Sequence, residues 1–278
     1  MDGRLVFLDQ EKAYDRVRRV WLEKVLARIG VPGGLGRAII RMLEGSKAAI
    51  MVNGHQGVPF SLGRGVPQGD PLSPILYALS LEPLLDRIRR RIEGLSVLGV
   101  TWKVGAFADD MVVGLGSVQD VGELKEMVGW YERCSGQKLN WHKCETMVLG
   151  NGIVGGDIIG TVVPAGEAVR YLGIFLSVYG SVLPKAWWEG KVQAWGDALK
   201  GWGGRHISLA GRVTILNVYW MPKLWYLAYH LDFPAWVVKR LLKLAKDWIW
   251  AGRRSQISWE TLALPVERGG LGLVDFPA

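Results

Sequence analysis

Asp109 and Asp110 stand side by side in Ala106-Phe-Ala-Asp-Asp-Met-Val-Val113, with apolar residues on both flanks. Far upstream, Asp9 closes another apolar run, Leu5-Val-Phe-Leu8. Carboxylates at the tips of strands that converge from distant parts of a chain can hold two Mg²⁺ ions about 3.5–4 Å apart for phosphoryl transfer. Taken alone, the Asp-Asp pair fits a solvated turn better, because Asp readily bonds its own backbone there. The surrounding elements decide between the two.

Leu5–Leu8 predicts a short buried strand. Trp21, Leu22, Val25, Leu26 and Ile29 recur at helical spacing, and Gly30-Val-Pro-Gly-Gly34 ends that helix. A second helix is expected over 35–44. Residues 48–53 and 58–62 flank Asn53-Gly54, a hairpin signal. Gly65-Val-Pro-Gln-Gly-Asp-Pro-Leu-Ser-Pro74 is a loop whose glycines permit close approach of backbone to ligand. It runs into a long helix with the apolar stripe Leu72, Leu76, Leu79, Leu84 and Ile88. Arg87, Arg89, Arg90 and Arg91 lie at the far end of that helix, where its dipole favours cations. A solvated last turn accounts for them better.

Residues 102–114 predict a hairpin with Asp109-Asp110 at its tip. A helix over 119–134 and strands over 145–149 and 169–176 are expected next. The pattern is α+β, with strands crossing back to one core. Near Gly180 the character changes: ten of the fourteen tryptophans lie beyond residue 186. Segments 185–201, 207–229 and 234–250 predict helices. A domain boundary is expected there, giving 1–178 and 179–278.

The net charge of +8 and a pI near 9.5 favour an acidic partner such as nucleic acid. The charge is spread along the chain, which suits a groove tracking a phosphate backbone. Half the residues are apolar, which excludes a disordered chain. Two cysteines and four scattered histidines lack the spacing of a zinc site or a disulfide framework. No apolar run reads as a signal peptide or a membrane span, so an intracellular protein of nucleus or cytoplasm, with no membrane partner, is expected.

Phe7-Leu-Asp-Gln-Glu-Lys-Ala-Tyr-Asp-Arg-Val17, Gly65–Pro74 and Phe107-Ala-Asp-Asp110 occur in an order that resembles the palm motifs of reverse transcriptases, specifically those of non-LTR (LINE-type) retrotransposons. Ser135-Gly-Gln-Lys-Leu-Asn-Trp-His-Lys143 and Arg170-Tyr-Leu-Gly-Ile174 match the same family. So do Leu209–Ile215, Trp248-Ile-Trp250 and Gly269-Gly-Leu-Gly272, so the resemblance covers nearly the whole chain. It implies a polymerase palm, a ferredoxin-like antiparallel sheet packed on helices, followed by an all-helical, Trp-rich thumb. It implies RNA-directed DNA polymerase activity, adding dNTPs to a DNA primer on an RNA template. Mg²⁺ is the expected cofactor, as two ions, with Mn²⁺ as an alternative; such hard cations keep waters and phosphate oxygens in their shell, so a few carboxylates suffice.

The resemblance also assigns roles. Asp9, Asp109 and Asp110 would be the catalytic and metal-holding carboxylates. Tyr14 would pack under the sugar of the incoming nucleotide and exclude a 2′-hydroxyl. Asp15 ends the same motif but reads as structural, a cap for the following helix. Gln68 and Gly69 would touch nucleotide or template, and Lys143 would protonate or neutralise the leaving pyrophosphate. Tyr171, Leu172 and Gly173 would grip the primer end. Trp187, Trp188, Arg205 and Arg212 are thumb candidates for nucleic-acid contact, although most of the tryptophans sit at core-like positions. Without the family, Tyr14 reads as a core tyrosine and Lys143 as a solvated charge.

Two departures matter. Phe107 stands where most of the family has Tyr, which removes a hydroxyl near the primer but no metal ligand. The chain also begins eight residues before Asp9, without the fingers and endonuclease regions of the parent polyprotein. This implies an N-terminally truncated copy or fragment. The alternative function is then a catalytically incomplete remnant, a basic module that binds nucleic acid.

Overall fold

The computed structural model describes residues 2–151, 157–164, 166–178, 183–203 and 205–275. The chain opens with strand β1 (Gly3–Leu8), then the short helix α1 (Ala13–Arg16), α2 (Arg19–Arg28) and α3 (Gly33–Glu44). Next, β2 (Lys47–Ala48), β3 (Met51–Val52), β4 (His55–Gln56) and β5 (Phe60–Ser61) form a two-step hairpin, β2 on β5 and β3 on β4. Asn53-Gly54 is its tip. Helix α4 (Ser73–Arg91) leads to β6 (Leu95–Val97) paired with β7 (Val100–Trp102), then β8 (Val104–Phe107) paired with β9 (Asp110–Leu115). Helix α5 (Val118–Ser135), β10 (Glu145–Leu149), β11 (Thr161–Val162), β12 (Ala168–Tyr171) and β13 (Ile174–Ser177) follow. The helices α6 (Lys185–Lys200), α7 (Leu209–Ile215), α8 (Pro222–His230), α9 (Ala235–Trp250) and α10 (Trp259–Ala263) come last.

The chain divides into two compact units, Met1–Leu172 with Leu176–Val178, and Gly173–Phe175 with Tyr179–Ala278. Gly180 lies outside the described residues.

The first unit is built on a five-stranded sheet of order β11-β10-β1-β9-β8. Its pairings are antiparallel except for β10 with β11. β1 is the middle strand and is covered on both faces, which is why its sequence is a continuous apolar run rather than an alternating one. Val6 and Leu8 join Met111, Val113 and Leu115 under the helices, against residues such as Leu22, Leu84 and Leu124. Phe7 faces the other way, into a smaller cluster with Leu95, Val112, Met147 and Val169. Asp120 is buried on the first turn of α5, where its carboxylate accepts the backbone N–H groups of Glu93, Gly94 and Gly116. It ties the β6 entry and the β9 exit to that helix.

Several elements differ from expectation. Trp102 belongs to the separate β6–β7 hairpin, so the hairpin that carries Asp109 and Asp110 starts at Val104. Residues 169–176 form two strands around a Leu172-Gly173 turn, not one. Asp15 lies inside α1 and caps nothing; the N-cap position of α2 is Arg18, which makes no side-chain cap bond. Residues 207–229 are not one α-helix, because a π-helical turn, Leu216–Trp220, separates α7 from α8. Pro222 explains it. Proline lacks an N–H and crowds the carbonyl one turn back, so the ladder slips by a residue, and Met221 donates to Leu216 O at 2.8 Å.

In the second unit Trp188, Trp195 and Trp220 are buried with Leu216, Leu224, Val237 and Leu241. Trp220 Nε1 donates to Trp195 O at 3.0 Å, satisfying the one polar atom of the most buried indole. No described helix is long and apolar enough to cross a membrane.

Candidate functional site

The register of β1 on β9 pairs Leu8 with Met111. Because the strands run antiparallel, Asp9 leaves the end of β1 where Asp110 enters β9. Asp109 occupies the β8–β9 turn beside Ala108, whose φ of 53° is uncommon for a residue with a Cβ. Asp9 is half-buried, while Asp109 and Asp110 are exposed. The Asp110 carboxyl is held above its ordinary range, first by burial and then by the negative charges of Asp109 and Asp9. Three carboxylates from two distant segments thus share one sheet end.

Asp9 and Asp110 line a cavity of about 100 Å³ together with Lys143, Glu145, Arg170 and Tyr171. Lys143 arrives there because the chain after α5 runs back along the exit of β1. Glu11 N donates to Lys138 O, Gln10 bridges Leu139, and Asn140 N donates to Asp9 O at 2.9 Å. Cys144, next along, is buried, and burial pushes its thiol up. Tyr171 lines one side of it: its hydroxyl donates to the Asp110 carbonyl at 3.5 Å and its ring lies 5.7 Å from that of Phe7. Burial and then the Asp110 charge raise its pKa.

A second cluster gathers around α1. Gly65 N donates to Val17 O at 2.8 Å and Val66 N to Tyr14 O at 2.9 Å, clipping the Gly65–Pro74 loop onto the helix. Gly65 has φ +86°, and a Cβ there would come within 2.8 Å of Asp15 O and 2.9 Å of Tyr14 O. Its lack of a side chain therefore serves packing against protein backbone, whereas Gly69, with φ +88°, faces open space. Gln68 and Gly69 are exposed at the loop tip, outside the cavity. Asp70 Oδ1 accepts from Leu72 N at 2.8 Å and starts α4. Tyr14 is half-buried and stacks on Tyr77.

A profile of one family, "Reverse transcriptase (RNA-dependent DNA polymerase)", matches residues 3–176. The chain belongs to the reverse transcriptase family. It is a reverse transcriptase domain of the non-LTR retrotransposon kind. The Xenopus laevis "Transposon TX1 uncharacterized 149 kDa protein" is 28% identical over 96% of this chain and 21% of its own length. The Drosophila melanogaster "Retrovirus-related Pol polyprotein from type-2 retrotransposable element R2DM" is 32% identical over 50% of the chain and 13% of its own. The domain thus spans about a fifth or less of these relatives. Among solved structures, telomerase from Candida tropicalis aligns with 90% of this chain and 44% of its own at 11% identity, with a TM-score of 0.49.

Reverse transcriptases of this family work with divalent metal ions. In this domain, among the described residues, no group of three His, Cys, Asp or Glu side chains is arranged to hold an ion by itself. The donor set still suits a hard cation. It offers carboxylate oxygens that repel one another, and Mg²⁺ characteristically completes its shell with water and substrate phosphate.

Of the residues singled out in the sequence, the fold brings Asp9, Asp110, Lys143 and Tyr171 to one cavity, with Asp109 on its rim turn. It places Tyr14 beside the Gly65 loop, and leaves Leu172 and Gly173 in the β12–β13 turn. Glu145 and Arg170 also line the cavity, and sequence reasoning missed them. The signal for Glu145 was its place at the start of a strand; its pairing with Phe7 is visible only in the sheet. The helical-region candidates fare differently. Trp188 is core, and Arg212 is occupied by the carbonyls of Trp248 and Ile249 at the end of α9. Trp187 packs edge-on against Phe175 and Trp188, while Arg205 lies over Trp202 at 4.8 Å. The arginines closing α4 are likewise engaged: Arg89 with Glu82, Arg90 with Asp86, Arg91 with Glu123, and Arg87 over Trp130.

Proposed function

We propose that this chain carries out the nucleotidyl transfer of RNA-templated DNA synthesis, with the first unit as a polymerase palm and the helical unit as a thumb. The observation that carries the reading is the β1–β9 register, which brings Asp9 and Asp110 to one sheet end beside Asp109. The order β10-β1-β9-β8, reached by a β-α-β-β-α-β succession, is ferredoxin-like and supports the palm assignment.

In this reading the primer 3′-oxygen attacks the α-phosphorus of a dNTP, the bond to the β-phosphate bridging oxygen breaks, and pyrophosphate leaves. Asp9, Asp109 and Asp110 would hold two divalent cations, Mg²⁺ or Mn²⁺, which when bound acidify the hydroxyl and neutralise charge on the phosphates. Tyr14 forms the wall under the sugar and excludes a 2′-hydroxyl. Gln68 and Gly69, exposed on the loop tip, meet nucleotide or template. Lys143 neutralises or protonates the pyrophosphate. Tyr171, Leu172 and Gly173 steady the primer end, with the Tyr171 hydroxyl on Asp110 O joining that turn to the carboxylates. The RNA template, DNA primer and dNTPs are the substrates, and fingers and endonuclease regions of a parent polyprotein are the partners.

The test is extension of a DNA primer on an RNA template with dNTPs and MgCl₂. The wild-type chain should extend it and Asp109→Ala should not; equal incorporation by the two excludes catalysis at this site. One observation favours a second reading, a basic nucleic-acid-binding module without catalysis: the net charge of +8 suits a phosphate backbone whether or not the carboxylates act. Binding to an RNA–DNA duplex would then fall steeply with salt and be indifferent to Asp109→Ala, with no extension by either protein.

A further inference from the structure

Tyr77 lies on α4 with none of its surface exposed. Its ring stacks on that of Tyr14, 4.6 Å between centroids and 13° between planes. Its hydroxyl donates to Gln10 Oε1 at 2.8 Å, and Gln10 directly follows Asp9. Its backbone carbonyl accepts from the Ser80 hydroxyl at 2.7 Å, and that hydroxyl in turn accepts from the Gln137 side-chain amide at 3.4 Å. Tyr77 is therefore held at ring, hydroxyl and backbone by buried contacts.

Tyr14 is in the opposite situation. It is half-buried on α1, a helix of four residues whose N-cap, Lys12, makes no side-chain cap bond. One turn of helix does not hold itself in water. The orientation of the Tyr14 ring is consequently set by what it packs on, and Tyr77 stacks flat against it. We propose that Tyr77 is a positioning residue that sets sugar selectivity at the nucleotide site by holding the ring of Tyr14 in place. The proposal rests on the reading of Tyr14 as the wall beneath the sugar. A wall rejects a single extra hydroxyl only while it cannot swing aside, so selectivity should depend on the support as well as on the wall.

The experiment needs no chemistry. The full chain is bound to an RNA template and a DNA primer ending in a dideoxynucleotide, with MgCl₂, and dCTP and CTP are titrated separately to stabilise the complex opposite a template G. Wild type should favour dCTP. Tyr77→Leu, which removes the stack, should lower the dCTP-to-CTP preference by roughly fivefold, the scale of an aromatic pair. Tyr77→Phe keeps the ring and should preserve the preference. In a Tyr14→Ala background, Tyr77→Leu should change the preference no further, because the element it supports is gone.

Circular dichroism and melting confirm that each variant folds; should Tyr77→Leu not fold, Tyr77→Met serves in its place. A folded Tyr77→Leu with wild-type preference overturns the proposal while leaving the Tyr14 reading intact. So does an equal loss of dCTP and CTP binding, or a Tyr77→Phe that loses selectivity while folded. If wild type and Tyr14→Ala show the same preference, the Tyr14 reading fails and takes this proposal with it.

Discussion

Leu8 and Met111 face each other across β1 and β9, and each has a carboxylate as its neighbour at the same sheet end, Asp9 after the one and Asp110 before the other. This pairing joins two segments a hundred residues apart in sequence. The electrostatic consequence is local: Asp110 sits above the ordinary aspartate value of 3.8, through burial first and then through Asp109 and Asp9.

That shift fixes the sign of a pH effect. A carboxyl whose folded pKa is raised binds its proton more tightly in the folded state, so its contribution favours folding at low pH and is lost as pH rises through that range. Asp110→Asn should therefore be more stable than wild type at pH 7, with the difference vanishing toward pH 3. Urea midpoints of the two proteins across that range check this. Millimolar MgCl₂ should raise the melting temperature of wild type but not of Asp110→Asn, if cations relieve the repulsion.

Lys143 shares a cavity with Asp9 and Asp110, and it is exposed. Lys143→Ala should lower kcat of primer extension by roughly a hundredfold, the scale of a lost proton donor, with unchanged melting. Steady-state kinetics with varied dNTP separate this from a binding defect, which would raise KM alone.

Gly65 and Gly69 offer an internal control. Both have positive φ, but only Gly65 presses on the backbone of Tyr14 and Asp15. Gly69→Ala should cost about 1–2 kcal/mol, the penalty of the left-handed region. Gly65→Ala should cost about 2–4 kcal/mol, because the clash adds to the strain. Chemical denaturation measures both; equal costs would contradict the clipped-loop geometry.

The end of α4 is rich in arginine, and three of these side chains pair with Glu82, Asp86 and Glu123. The double change Arg89→Ala with Arg90→Ala should shift stability by no more than about 1 kcal/mol, as exposed pairs do. It should also leave the salt dependence of RNA–DNA binding unchanged, whereas each lost phosphate contact would flatten the log–log slope by about 0.9. Fluorescence anisotropy at several salt concentrations decides it.

Much of the site was legible because its signals are local. The apolar run before Asp9, the Asp-Asp pair in a turn and the Gly/Pro-rich loop each report on a few adjacent residues, and each holds its expected kind of element. What escaped were features that depend on packing. Trp102 pairs with Leu95 and not with the Asp109 hairpin, and an apolar residue beside a strand carries no mark of its partner. The π turn at Leu216–Trp220 hides in a good helical pattern, since Pro222 lies at a position where a proline can equally begin a new helix.

By itself the sequence determined the chemistry on offer, three hard carboxylates, a flexible loop and a basic chain, because side-chain type and short-range periodicity are properties of adjacent residues. Only the tertiary structure decided which of these groups meet. Asp9 lies opposite Asp110 through strand register, Glu145 and Arg170 join the cavity through the neighbouring strands, and Tyr77 reaches Tyr14 from another helix. The physical reason is that register and stacking are set by burying apolar surface between distant segments, and the partner of a buried ring is written nowhere near it in the chain.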